Sequence, residues 1–282
     1  MKQLLWLVLV AACASDGKRF VELSNEGVAA LKRDDPAAAR TALREAVKLV
    51  PDDAEANYYL GSMDLREGKL DDAVARLTVA ARTEPAWPEA MAQLARAQQA
   101  AHRSKDALAT LQRLFRADRN HPAGHLIAGR IALELNDKSG ADRHWRDAVA
   151  GDPGHAPAYV ELAHLYGDVG AHEAARQVLE EGLKFARDAA ELHEALGLVW
   201  LDLGRPDRAQ QAFEQATHGD RARYQVHLNL AAAALQAGDR ATATAALRTY
   251  VGLAEGQHAE PAKVKAAADM LRRLQAAERT VP

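Results

Sequence analysis

The sequence has little of what most enzymes and nucleic-acid binders need. One cysteine in 282 residues excludes an internal disulfide and a thiolate metal cluster. Aromatic residues make up only 5%, and strong strand formers are thin, whereas 63 residues are alanine, the best helix former. The 36 basic and 39 acidic residues leave a net charge of −3, which is not the basic footprint of a nucleic-acid binder. Catalytic motifs are missing as well. There is no phosphate-cradling glycine loop and no G-x-S-x-G elbow, and the zinc motif H-E-x-x-H fails at both places where it begins. His172-Glu173 runs on into Ala174, Ala175 and Arg176, and His193-Glu194 into Ala195, Leu196 and Gly197. These absences predict a non-enzymatic chain without cofactor or metal. They favour an all-α fold with small residues at its helix contacts.

The apolar run from Leu4 to Ala12 is too short to span a bilayer, which takes about 20 residues. It has the length of the apolar region of a secretory signal, behind the positive start Met1-Lys2. Val10-Ala11-Ala12-Cys13 resembles the lipobox of bacterial lipoproteins, and the resemblance implies a signal peptide over 1–12, lipidation at Cys13 and a short tether over 13–19. Ala14, not aspartate, follows the cysteine, which implies an outer-membrane anchor facing the periplasm. Two other readings stand beside this one. Ala12-Cys13-Ala14 is also an A-x-A site for release as a soluble periplasmic protein, and an uncleaved apolar start could pack on the body of the chain.

From Phe20 the sequence repeats every 34 residues without insertion, with units at 20–53, 54–87, 88–121, 122–155, 156–189, 190–223 and 224–257. The twentieth position reads Ala39, Ala73, Ala107, Ala141, Ala175, Ala209 and Ala243. The eighth holds Gly27, Gly61, Ala95, Gly129, Ala163, Gly197 and Ala231, and the twenty-fourth holds Leu43, Leu77, Leu111, Trp145, Leu179, Phe213 and Leu247. Leu60, Leu94, Leu162, Leu196 and Leu230 share the seventh, and Pro51, Pro85 and Pro153 close their units. The pattern resembles the tetratricopeptide repeat, whose period is 34.

Each unit reads as two helices joined by a turn. In the second, helix A is predicted over 55–67 and helix B over 70–83, with Gly68 between them and Pro85 after them. Small residues at positions eight and twenty let the two helices approach. Gly68, Gly170, Gly204 and Gly238 share one turn column, where a left-handed backbone is expected. No hairpin buries its own apolar stripe, so the expected fold is a right-handed α-solenoid of seven hairpins. A cap and tail follow over 258–282: Val264, Ala267, Ala268, Leu271 and Leu274 form one stripe of a helix starting at Pro261.

Some positions break the pattern. Asp64 and Gln98 take an aromatic slot, which implies either a buried polar pair between them or a rotated helix A. Tyr250 stands where a small residue is usual, which predicts a looser stack there. His125, His193 and His227 share the fourth column, where tryptophan is usual, and read as packing residues. Trp87 reads either as a staple onto the next helix or as an exposed anchor.

The resemblance implies that A-helix positions two, five, nine and twelve line a partner-binding groove. Here these include Tyr58, Ser62 and Leu65, then Arg96 and Gln99, then Leu126, Arg130 and Leu133. Val160, His164, Leu198, Leu201, Leu228 and Leu235 continue the lining. Arg96 and Arg130 would form a positive spot, and the leucines would suit the apolar side of a peptide or amphipathic helix. Of the four cationic and polar positions by which chaperone-binding members hold a C-terminal carboxylate, only Arg96 is kept, which speaks against that activity. The expected function is a protein-interaction scaffold of the bacterial envelope, held to the membrane by an N-terminal lipid. Pilotins of type IV pilus secretins are similar in size, lipidation and repeats. The alternatives are a ligand-binding or enzyme-accessory protein, with Tyr58 and Tyr159 as the platforms for a cell-wall glycan, and a cytosolic scaffold without a cleaved signal.

Overall fold

The structure is a computed structural model that describes residues 2–83, 85–219, 224–254 and 259–279, with side chains described for those between 16 and 276. Among the described residues there are fifteen α-helices and no strand. The chain divides into two compact units at 137/138.

The first unit holds α1 (Lys2–Lys32), α2 (Pro36–Leu49), α3 (Ala54–Arg66), α4 (Leu70–Ala80), α5 (Pro88–Ala100), α6 (Ser104–Ala117) and α7 (Pro122–Glu134). Helices α1/α2, α3/α4 and α5/α6 pair as hairpins, and each hairpin packs on the next, with A helix on A helix at α3/α5 and α5/α7. The second unit holds α8 (Lys138–Gly151), α9 (Ala156–Gly167), α10 (His172–Gly182), α11 (Ala190–Asp202), α12 (Pro206–Gly219), α13 (Tyr224–Ala237), α14 (Arg240–Ala254) and α15 (Pro261–Arg279). There α9/α10, α11/α12 and α13/α14 pair in the same way, and α15 covers α14.

The turns repeat in detail. Asp34, Gly68, His102, Asn136, Gly170, Gly204 and Gly238 all have positive φ, between 57° and 83°, at a spacing of 34. In every one of these turns the next N–H reaches back to the carbonyl five residues before it. The bonds are Asp35 to Ala30, Lys69 to Asp64, Arg103 to Gln98, Asp137 to Ala132, Ala171 to Tyr166, Arg205 to Trp200 and Asp239 to Ala234, all between 2.8 and 3.0 Å. This is the Schellman closure, which requires one left-handed residue and satisfies a carbonyl the helix end would orphan. Expecting the left-handed residue only at the four glycines was therefore too narrow.

Within a hairpin the eighth and twenty-fourth positions interlock. A Cβ on Gly27 would lie 2.5 Å from Cγ of Leu43, one on Gly61 2.7 Å from Cγ of Leu77, and one on Gly197 2.6 Å from Cε1 of Phe213. Between hairpins, volume is traded. Leu114 of α6 sits over Gly124 of α7, where a Cβ would come within 2.9 Å. The reverse holds at Gly182 of α10, where a Cβ would meet Tyr159 at 2.8 Å and Leu192 at 3.1 Å.

Residues 13–19 lie inside α1, where nothing stops a helix except the lone Gly17. Two expectations are corrected. Tyr250 does not loosen the stack. It is fully buried, 5.7 Å from the Tyr224 ring and in one cluster with Ala254, Ala267 and Val264, so α15 supplies the room its ring takes. Asp64 and Gln98 do not face each other, nor is α3 turned to expose the carboxylate. Buried Asp64 accepts from Arg40 of α2 at 2.5 Å and Arg76 of α4 at 3.1 Å, while Gln98 accepts from the Thr110 hydroxyl at 2.8 Å. Each polar group is thus satisfied by a helix B.

The Arg40–Asp64 contact has counterparts. Position 21 of one hairpin meets position 11 of the next again where the Tyr166 hydroxyl donates to Asp142 at 2.5 Å, and where Arg176 lies 5.6 Å over the Trp200 ring. Arg40 also binds Glu67 at 2.6 Å. Burial works to lower the Arg40 pKa, but Asp64 and Glu67 outweigh it and hold the guanidinium above its ordinary range. Among the described residues no helix is long and apolar enough to cross a membrane.

Candidate functional site

A groove of about 770 Å³ in the first unit is floored by the A helices α3 and α5 and walled by the α1–α2 turn. It gathers four of the expected residues: Tyr58, Ser62, Leu65 and Arg96. They share it because positions five, nine and twelve of an A helix lie on one face. Tyr58 is backed by Trp87, whose ring lies 4.6 Å away, and flanked by Tyr59 at 5.4 Å. Trp87 is half-buried, so it acts as a staple, and what it staples is the groove's aromatic residue. Burial first, and then the charge of Glu89, push the Tyr58 hydroxyl above its ordinary pKa, which keeps it a neutral donor. The Ser62 hydroxyl oxygen is buried in the groove and has no hydrogen-bond partner among the described residues.

The positive spot differs from expectation. Arg96 shares the groove with Arg66, the last residue of α3, and Arg130 is half-buried outside that lining. Arg66 was missed because it lies one place beyond the expected groove positions, where the end of α3 turns its side chain into the same space. Arg66 and Arg96 are both exposed and carry no ion pair among the described residues. The acidic side of the groove is largely engaged. Asp35 accepts from the Ala38 N–H at the start of α2, and Glu67 from Arg40 and Lys69. The hydrogen bond from Lys69 comes first among the causes that lower the Glu67 pKa.

The other expected residues are dispersed. The Gln99 amide donates to Glu134 at 2.8 Å and so joins α5 to the end of α7. Leu126 is buried in α7 and is core, not groove, while Leu133 is half-buried. In the second unit Val160 and Leu201 are half-buried, and His164 and Leu198 are exposed. Leu228 and Leu235 line a second, apolar groove of about 250 Å³ with Ala232, Leu247, Ala266 and Met270, walled by α15. Tyr159 is buried, so it cannot serve as a glycan platform. The Cys13 side chain lies outside the described residues.

Two histidines of the fourth column, His125 and His193, share a task. His125 donates through Nε2 to the Arg119 carbonyl at 3.0 Å, and His193 to that of Arg187 at 2.8 Å. Asn57, in the same column, donates to the Pro51 carbonyl at 2.9 Å. Each reaches six residues back and pins the loop between hairpins, which is a structural use of the side chain.

Helices paired by left-handed turns every 34 residues and packed pair on pair within each unit define a helical-hairpin repeat protein. Three family models, each described as tetratricopeptide repeat, match residues 25–90 and 195–258, residues 64–131, and residues 156–188, well over half of the chain together. The chain belongs to the tetratricopeptide-repeat family, whose members are typically non-enzymatic scaffolds that bind protein partners. No curated protein sequence matches it. Among solved structures it is similar to a tetratricopeptide repeat protein from Parabacteroides merdae, at 15% identity and a TM-score of 0.61, over 92% of this chain and 99% of that one. It is also similar to a chain of the APC/C hetero-tetramer Cut9-Hcn1, at 20% identity and a TM-score of 0.61, where 83% of this chain is covered and this chain spans 46% of the other. Pseudomonas aeruginosa pilF matches at 18% identity and a TM-score of 0.57, over 72% of this chain and 93% of that one. Identities this low speak for the fold alone.

Proposed function

We propose that the chain is a non-enzymatic scaffold that holds a peptide or amphipathic helix of a partner protein on its A helices, and that it works in a bacterial envelope, anchored through Cys13. The observation that carries the binding reading is the 770 Å³ groove over α3 and α5, on which Tyr58, Leu65 and Arg96 converge. Tyrosine and arginine are the residue types that dominate binding energy at interfaces, and a groove that already exists needs little ordering to receive a partner. The address rests on the apolar run ending in Val10-Ala11-Ala12-Cys13.

The test is a photo-crosslinking amino acid placed at position 65 in cells. A discrete adduct that disappears with Tyr58→Ala supports the groove. No adduct at position 65, alongside a strong one at an outer helix-B position such as 108, overturns it. Mass spectrometry of the mature N-terminus tests the address: an acylated Cys13 supports the anchor, and an intact Met1 overturns it.

A further inference from the structure

The chemistry of the first-unit groove goes beyond the general reading and specifies its occupant. Resting on the proposal that this groove binds a partner segment, we infer that the segment is amphipathic and carries aspartate or glutamate side chains along one flank of its apolar face. Arg66 and Arg96 come from adjacent A helices, open on one space, and have no ion pair within the described residues. The carboxylates that could have answered the guanidiniums are turned to other work: Asp35 caps α2, and Glu67 is held by Arg40 and Lys69. Asp34 is the remaining lining carboxylate, and it belongs to the wall made by the α1–α2 turn, whereas both arginines project from α3 and α5. The groove therefore has donors in excess on its α3/α5 side, next to the apolar surface of Tyr58 and Leu65. An acidic flank on that side supplies the missing acceptors, and charge-assisted hydrogen bonds to guanidinium are the strong ones. The acidic groups are side chains within the segment, so a free C-terminal carboxylate is not required.

The experiment uses the full chain and three fluorescent peptides of about five helical turns, acetylated and amidated at their ends, with one leucine face flanked by glutamate, glutamine or lysine. Binding is read by fluorescence anisotropy. The glutamate peptide binds at least about ten-fold more tightly than the glutamine peptide, ~1.4 kcal/mol, and the lysine peptide binds most weakly. Arg66→Glu with Arg96→Glu abolishes that preference, and both residues are exposed enough for circular dichroism to show an unchanged fold. Equal affinity for the glutamate and glutamine peptides, no binding of any of the three, or a preference that survives the double reversal, overturns the inference. Leu65→Asp separates the two readings. If it weakens all peptides while the charge preference is absent, the groove stands and its acidic occupant falls. If it changes nothing for any peptide, the groove reading falls as well.

Discussion

Asp34, His102 and Asn136 hold a backbone conformation that L side chains resist, and they hold it because the turn closure around them leaves no other path. The cost is greatest for histidine and least for asparagine, which visits this region readily. His102→Gly should raise the unfolding free energy by about 1 kcal/mol, and Asn136→Gly should change it by only a few tenths, as read from denaturant midpoints. Reading the turn column by residue type finds only its glycines; register alone marks the other three. A second residue-scale test concerns His227. Burial lowers its pKa, so the folded state holds it neutral while the unfolded chain protonates near pH 6.5. Its contribution is full above that pH and is lost as pH falls below it. His227→Asn, which copies Asn57 of the same column, should flatten the stability profile between about pH 7 and 5.

At the scale of the helix, the eighth, twentieth and twenty-fourth columns were legible because a contact inside one hairpin repeats at fixed spacing. Contacts between hairpins were harder to read, since they couple positions of different units. Buried Asp64 looks like a defect until Arg40 and Arg76 are placed beside it from two other helices. Asp64→Ala leaves Arg76 without its carboxylate and Arg40 with Glu67 alone, and should cost about 3 kcal/mol by chemical denaturation. Asp64→Tyr combined with Arg40→Leu, which removes charge on both sides, should recover most of that loss. The glycine beneath Leu114 makes a parallel case. Gly124→Ala should destabilise by about 1–3 kcal/mol through overpacking, and Leu114→Ala in the same chain should relieve it, giving a coupling that a double-mutant cycle resolves.

For the molecule as a whole, period and composition were enough to give the helical class, and the register located four groove residues. The rest of the groove was not legible, because helix face alone does not say which side chains end up buried, as Leu126 does. The role of α15 belongs to this scale too. It covers α14, where Tyr250 and Ala254 are buried in a cluster that also takes in Ala267 of α15. A chain ending at Ala254 should bare that cluster, as solenoids without an end cap do, and should elute as oligomers in size-exclusion chromatography with light scattering where the full chain elutes at lower mass.

The exchange of bulk at Leu114/Gly124 and Gly182/Leu192 has a bearing on how such a chain could be rearranged. Equal length makes the hairpins look like interchangeable bricks, yet a permutation that brought the pair ending in Leu114 to the one beginning with Leu192 would press two leucines into a seat built for one. The opposite permutation would leave two glycines facing a void. Serial order is thus written into the sizes of a few side chains, and recombination between the repeats would be filtered by volume before any partner was met.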